Sequence, residues 1–300
     1  MKLAAIDIGS NAVRLQITKV LEYEERVTFK KLEYVRFPLR LGHDVFTTGR
    51  ISEYSKGRFY KLMTAYRNLI DLYEVDAFFG CATSAMRESE NGASIIEGVK
   101  EELSLDIKII SGDEEAEMIN KVIGLSLGNE NYLHVDVGGG STELNIYQGK
   151  TKILSRSFKL GSVRRLENSD DPEVWTEMQQ WIKLNVENRY EKIIAIGTGG
   201  NINKLFELSL NGKVKEMSLT TLIATQQNLQ SLSKNDLLNK LQLNPDRADV
   251  IIPASEIYID VMKIAGAKNI LVPDVGLKDG INFHLYESHY PTTDKVFVKN

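Results

Sequence analysis

Residues 132–147 read YLHVDVGGGSTELNIY, and the fold turns on how this stretch is read. Two runs of alternating apolar pattern, 132–137 and 143–147, predict the strands of a β-hairpin. Between them stand Gly138, Gly139, Gly140, Ser141 and Thr142. Consecutive glycines let the backbone come close to a ligand because no Cβ intervenes. Successive N–H groups in such a turn form a concavity that binds anions. A tight two-residue hairpin turn needs one or two glycines, not three followed by Ser-Thr. Asp136 and Glu143 bracket the turn. An anion site framed by acids makes physical sense when a divalent cation joins them, so the stretch reads as a site for metal-bound phosphate.

The N-terminus repeats this grammar. Residues 2–8 form a short apolar strand that runs into Asp7-Ile8-Gly9-Ser10-Asn11, and residues 13–18 form a second strand. AAIDIGSNAVRLQI and LHVDVGGGSTELNI align Asp7 with Asp136, Gly9 with Gly138 and Leu15 with Leu144, with the second turn taken as one residue longer. Similarity at so long a period points to two related domains. The expected division is residues 1–120, with a C-terminal helix at 285–300 packing back on them, and residues 121–284. The two phosphate hairpins are expected to face each other across a cleft.

Strands and helices alternate along the rest of the chain, which is the pattern of an α/β protein. Residues 41–51 read as loop and 27–34 as strand. Phe59, Leu62, Met63, Tyr66, Leu69, Ile70 and Tyr73 recur at helical spacing and predict a helix over 52–73. A strand at 77–82 is followed by a helix ending near Leu103 and a strand at 107–110. Ser111 then caps a helix whose first turn holds Glu114 and Glu115. Further on come a helix over 172–190, a strand at 193–196 with the glycine turn Gly197 to Asn201, and a helix through Leu210. Two helices are expected between 220 and 241, one over 248–265, a strand at 269–272, and a last helix opening at 276–280.

Composition sets outer limits. The chain has 300 residues, 42 % hydrophobic and 26 % charged, with a formal charge of −4. That is an ordinary globular balance and not the basic character of a protein that binds nucleic acid polymers. Cys81 is the one cysteine, so no disulfide forms within the chain. No apolar run is long enough for a membrane span, so a cytoplasmic protein is expected.

Three glycine turns follow three strands, and none reads GxxxxGK[ST], so this is not a P-loop protein. Asp7 and Asp136, at strand ends, suit Mg²⁺ held partly through water. An acid pair at a helix start usually offsets the dipole, but Glu114 or Glu115 could also direct water at a phosphoanhydride. Arg87 is either a phosphate fork or a partner of Glu88 or Glu90. Arg14, Arg36, Arg40, Arg164 and Arg165 could form a basic track, although each alone reads as a solvated charge. The four histidines lack metal-ligand spacing, and His134 reads as a satisfied core residue. Cys81, Trp175 and Trp181 read as packing.

Taken together, AAIDIGSNAVRL, GCATSAMRESENG, IISGDEEAE, VDVGGGSTEL, KLGSVRRLE, IGTGGNINKL and VPDVGLKDGI resemble, in order and across nearly the whole chain, the exopolyphosphatase / guanosine pentaphosphate phosphohydrolase family. The resemblance implies two ribonuclease-H-like domains of the actin–hexokinase–Hsp70 superfamily flanking a cleft. It implies Mg²⁺-dependent release of terminal phosphate from inorganic polyphosphate, or of the 5′ phosphate of guanosine pentaphosphate, and possible pairing as a homodimer. Carried over by position, Glu115 resembles the catalytic base and Glu143 the second essential carboxylate, also on the metal. Asp7 and Asp136 resemble the metal-side acids. Gly9, Ser10 and Asn11, with Gly138, Gly139, Gly140, Ser141 and Thr142, resemble the phosphate clamps, and Arg87 the arginine at the substrate end. Asp113 and Ser89 depart from the common Glu and Ala. Longer members append a helical half beyond the position of Asn300, so short polyphosphates or a nucleotide are favoured over very long chains. The alternative is a guanosine alarmone or nucleotide sensor with little turnover. The intact acid set argues against it, because a pure binder would gain from losing mutually repulsive carboxylates. A kinase of the same superfamily would need an acceptor pocket for which the sequence gives no sign.

Overall fold

The computed structural model describes residues 1–24, 26–125, 127–187, 189–209, 215–273, 275–290 and 296–297. Expectations that fall on Asn188, Leu210, Asp274, 291–295 or 298–300 lie outside them. The chain divides into two compact units, Met1–Leu125 with Gly276–Asn300, and Ser126–Val275. The expected divisions at 120/121 and 284/285 fall a few residues to either side of these.

The first unit opens with β1 (Lys2–Ile8), β2 (Val13–Tyr23) and β3 (Arg26–Phe37), an antiparallel meander. After it come α1 (Leu41–Thr48), α2 (Glu53–Leu72), β4 (Ala77–Ala82), α3 (Ser84–Glu88), α4 (Gly92–Leu103), β5 (Ile107–Ile109) and α5 (Gly112–Gly124). Strands β4 and β5 join parallel to β1, giving the order β3-β2-β1-β4-β5. One face of this sheet buries Ala4, Ile6 and Ile8 against Phe59, Met63 and Tyr66 of α2 and Ile95 and Val99 of α4. Tyr66 keeps its phenol in that core by donating to the carbonyls of Val13 and Val35. Ser52 starts α2 by accepting the Ser55 N–H.

In the second unit lie β6 (Asn131–Val137), β7 (Thr142–Gln148), β8 (Thr151–Phe158), α6 (Ser162–Leu166), α7 (Pro172–Asn185), β9 (Ile194–Thr198), α8 (Gly200–Leu208), β10 (Glu216–Ser218), α9 (Leu219–Ser231), α10 (Lys234–Asn239), α11 (Pro245–Ala265) and β11 (Asn269–Leu271). Its sheet runs β10-β11-β9-β6-β7-β8. Strands β9 and β11 are parallel to β6, while β7 runs antiparallel to both neighbours. Leaving out β10, the order and directions match those of the first sheet. The chain therefore builds the expected α/β ribonuclease-H-like sheet twice. Ile257, Tyr258, Val261 and Met262 of α11 are buried in this unit's core.

From Gly276 the chain returns to the first unit as α12 (Leu277–His289), which packs on α5 and β1. Val296–Phe297 then add β12 beside β3. The last helix thus opens where expected, at 276–280, and ends at His289, short of the 285–300 expected to pack back on the first unit. A second correction is α1, which stands where a loop was expected. A third is the turn lengths. Val13 pairs with Ile8, and Thr142 with Val137, so both hairpin turns hold four residues and the second is no longer than the first.

Candidate active site

Both hairpin turns are closed by the same backbone bond. Gly9 N–H donates to Ala12 O at 3.2 Å, and Gly138 N–H donates to Ser141 O at 2.9 Å. What orients each turn is a short helix that follows the meander. In the second unit the N–H of Ser162 donates to Gly138 O, and those of Val163 and Arg164 donate to Gly139 O. The buried Arg164 guanidinium then takes Gly140 O through Nε at 3.0 Å. All three glycine carbonyls are drawn toward α6. In a trans peptide the N–H points opposite to the carbonyl. The N–H groups of Gly139, Gly140 and Ser141 are therefore turned away from α6 as a set, which is the geometry of an anion nest. Gly161 makes the close approach feasible, because a Cβ there would lie 2.5 Å from the Gly139 carbonyl.

The first unit does the same with α1. Gly42 N–H donates to Ser10 O at 2.7 Å, and Arg40 N–H donates to Asn11 O at 2.9 Å. The N–H groups of Asn11 and Ala12 are thereby turned the other way. A Cβ at Gly42 would lie 2.9 Å from Ser10 Cβ. The Ser10 hydroxyl is itself paired with Ser84 Oγ at 2.8 Å and buried. Thr142 likewise gives its hydroxyl to Leu160 O at 2.6 Å. For these two expected clamp residues, the side chain braces the turn.

The acids differ between the hairpins. Asp136 and Glu143 are direct cross-strand partners, and both are buried. Ser157 donates to Glu143 Oε1 at 2.8 Å. Tyr258 sits beside them, donating to Thr198 O and accepting the Val137 N–H. Burial, and then the charges of Asp136 and Glu143, push its phenol well above the usual range. Gly199, at φ 107, belongs to the third glycine turn. A side chain there would meet Asp136 Oδ1 at 3.2 Å, so that turn backs the Asp136 carboxylate. In the first hairpin the partner of Asp7 is Arg14, whose Nη1 bonds Asp7 Oδ2 at 2.8 Å.

Helix α5 separates the roles of Glu114 and Glu115, which the sequence left open. Glu114 closes the capping box with Ser111 and pairs with Lys108 at 2.6 Å. Lys108 and the cap hold its carboxyl below the ordinary range. Glu115 is half-buried. Burial first, then the charges of Asp7 and Glu115, push the thiol of the neighbouring Cys81 upward, so these two acids share one neighbourhood in the first unit. Arg87 pairs with neither Glu88 nor Glu90 in the expected way. Its Nη1 donates to Ile110 O at 2.7 Å, bracing the approach to α5. In the expected basic track, Arg165 is engaged by Glu256 and Asp170.

Under the second nest, His134 is fully buried as expected of a core residue. Asn145 donates to its Nδ1 at 3.0 Å, so Nε2 carries the proton toward Thr198 Oγ1 at 2.8 Å. Burial drives this imidazole down to about 3. Among the described residues no group of three or more His, Cys, Asp or Glu forms a metal cage. The Asp136–Glu143 pair nevertheless fits Mg²⁺, which takes hard oxygen donors from one or two carboxylates and keeps waters and substrate oxygens for the rest.

Residues 20–289 match the Ppx/GppA phosphatase family. The chain belongs to that family. A bifunctional 3-dehydroquinate synthase/phosphatase of Fusobacterium nucleatum is 31 % identical over 90 % of this chain, which spans 44 % of that protein's length. Exopolyphosphatase 2 of Mycobacterium tuberculosis is 26 % identical, with 95 % of this chain and 98 % of that one covered. Among solved structures, an exopolyphosphatase from Cytophaga hutchinsonii superposes with TM-score 0.83 at 22 % identity, covering 96 % of this chain and 98 % of that one. The Aquifex aeolicus Ppx/GppA family member gives 0.75 at 24 %, covering 96 % and 99 %. These two likenesses bear on the fold. Membership of the Ppx/GppA family makes the chain one of a family of phosphatases acting on phosphoanhydrides, and no helix among its described residues is long and apolar enough to cross a membrane.

Proposed function

We propose that this chain removes terminal phosphate from inorganic polyphosphate in a Mg²⁺-dependent hydrolysis, with guanosine pentaphosphate as a further substrate. The observation that carries this reading is the Asp136–Glu143 pair. Two carboxylates directly opposed on one sheet face and buried offer the hard oxygen donors that Mg²⁺ takes from one or two acids. They adjoin a turn whose N–H groups are already aligned for phosphate oxygens. The likeness to Exopolyphosphatase 2 over nearly the full length of both chains supports polyphosphate as the substrate class.

Phosphoryl transfer asks a protein mainly for positioning and charge stabilisation. In the second unit the N–H groups of Gly139, Gly140 and Ser141 would hold non-bridging oxygens, and in the first unit those of Asn11 and Ala12 offer the same device. Arg87 spends one donor on Ile110, and its fork has others for a phosphate. Glu115 would orient the attacking water and take its proton. Asp136 and Glu143 would hold the metal. Bound Mg²⁺ would offset charge on the phosphate oxygens.

The test is phosphate release from short polyphosphate, long polyphosphate and guanosine pentaphosphate, each with and without Mg²⁺. Release that requires Mg²⁺ and falls about 10²–10⁴-fold in Glu115→Ala is expected. Full activity in that variant would remove the assignment of the base. Tight binding of guanosine tetraphosphate with no release from any substrate would favour the sensor instead.

A further inference from the structure

Glu115 stands on α5, and α5 is seated by the last described helix of the chain. The two helices come close at Gly280 of α12. A Cβ on Gly280 would lie 2.5 Å from Met118 O, 2.7 Å from Met118 C and 3.1 Å from Met118 Cβ. The first two are backbone atoms, which cannot rotate aside. Met118 is three residues beyond Glu115, about 4.5 Å along the helix axis. On its other side, the Met118 sulfur rests 3.8 Å from Cys81 Sγ. Cys81 pairs in register with Asp7.

Helix α12 is itself firmly held. Asn282 Nδ2 donates to Thr18 Oγ1 at 3.2 Å, and Gln16 Nε2 donates to Asp279 Oδ1 at 3.2 Å. Phe283 and Tyr286 pack edge-on against Phe29. The same Asp279 accepts the Gly276 N–H and so closes the helix start. These ties anchor α12 to β2 and β3, and Met118 of α5 meets the sheet here at Cys81. When the two helices are forced apart, α5 is the one that yields.

We propose that Gly280 is a positioning residue for Glu115. Its missing Cβ fixes how close α5 lies to α12, and with it where the Glu115 carboxylate stands. The inference rests on the reading of Glu115 as the base. Gly280→Ala moves α5 outward by about 1 Å, and a displacement of that size in a catalytic group costs up to about 10²-fold in rate.

Kinetics of phosphate release from polyphosphate with Mg²⁺ test it. Gly280→Ala is expected to lower kcat 10- to 100-fold with KM within about threefold of the parent. Val99→Ala, in the core on the opposite face of the first sheet, serves as a control of similar thermal destabilisation and should keep the parental kcat. In a Glu115→Gln background, adding Gly280→Ala should lower the rate no further. A Gly280→Ala enzyme with parental kcat overturns the proposal. So does a loss matched by Val99→Ala, or one repeated in full in the Glu115→Gln background. If Gly280→Ala does not fold, Asn282→Ala, which loosens α12 on β2, is read by the same three criteria. An active Glu115→Gln enzyme would instead overturn the assignment of the base, whatever Gly280→Ala does.

Discussion

The two hairpins share a four-residue turn, the same closing hydrogen bond and a short backing helix that captures the turn carbonyls. They part at one cross-strand position. Arg14 faces Asp7 in the first, and Glu143 faces Asp136 in the second. The first hairpin therefore carries its own counter-ion, while the second buries two like charges side by side. Duplication has kept the backbone device proposed to bind an oxyanion and divided the electrostatics. One copy pairs its acid with an arginine, and the other sets two acids side by side.

Making the second hairpin resemble the first should have the largest effect. Glu143→Arg places opposite Asp136 the residue type that faces Asp7. Phosphate release should fall about 10²–10³-fold or more, while thermal stability without Mg²⁺ is held or raised, because an opposed like-charge pair becomes an attractive one. Parental activity in this variant would break the comparison.

The backing helices come next. Gly161→Ala would drive a methyl group into the Gly139 carbonyl, which is backbone, whereas Gly42→Ala meets side-chain atoms of Phe46 and Ser10 first. Gly161→Ala should raise KM about 10- to 100-fold, and Gly42→Ala by less, with each tenfold being about 1.4 kcal/mol of binding. An unchanged KM in Gly161→Ala would mean that the nest does not grip phosphate.

A smaller effect appears in the interiors. His134 pairs with Asn145 where the first hairpin has Ala5 paired with Gln16. The folded His134 stays neutral down to about 3, but the unfolded chain takes up that proton near 6.5. Its contribution to stability is complete above about 6.5. It declines toward 3 by as much as about 1.4 kcal/mol per pH unit. Denaturant unfolding between pH 6 and 4 should therefore show a shallower pH slope in His134→Gln than in the parent, and an equal slope would contradict the burial argument.

The glycine turns were legible in the sequence because their cues are local: an Asp at a strand end, glycines, and alternation on either side. The second copy was legible by alignment. Arg14 as the counterpart of Glu143 followed from the same alignment, which sets Leu15 on Leu144, although the two turns were taken as unequal in length. An even spacing from Asp7 to Asp136 and from Arg14 to Glu143 was the available signal. Helix α1 was hidden. It is eight residues long with Gly42 in its first turn and Gly49 at its end, and its residue preferences favour loop. Contact with Ser10 makes it helical, a tertiary effect that propensity does not carry. Arg164 looked like one more solvated charge until the fold put it against Gly140. That Glu114 closes the cap was available from its spacing to Ser111, whereas its ion pair with Lys108 was not, since a strand contributes that lysine.

The most direct test of the account is the Mg²⁺ dependence of thermal stability in the parent, Glu143→Gln and Asp7→Asn. A cation bound only by the folded chain stabilises it by about 2.7 kcal/mol at a hundred times its Kd. The melting temperature should rise with Mg²⁺ in the parent and in Asp7→Asn. In Glu143→Gln it should begin at or above the parental value without Mg²⁺ and stay there. A rise kept in Glu143→Gln and lost in Asp7→Asn would place the cation at the first hairpin and contradict the account.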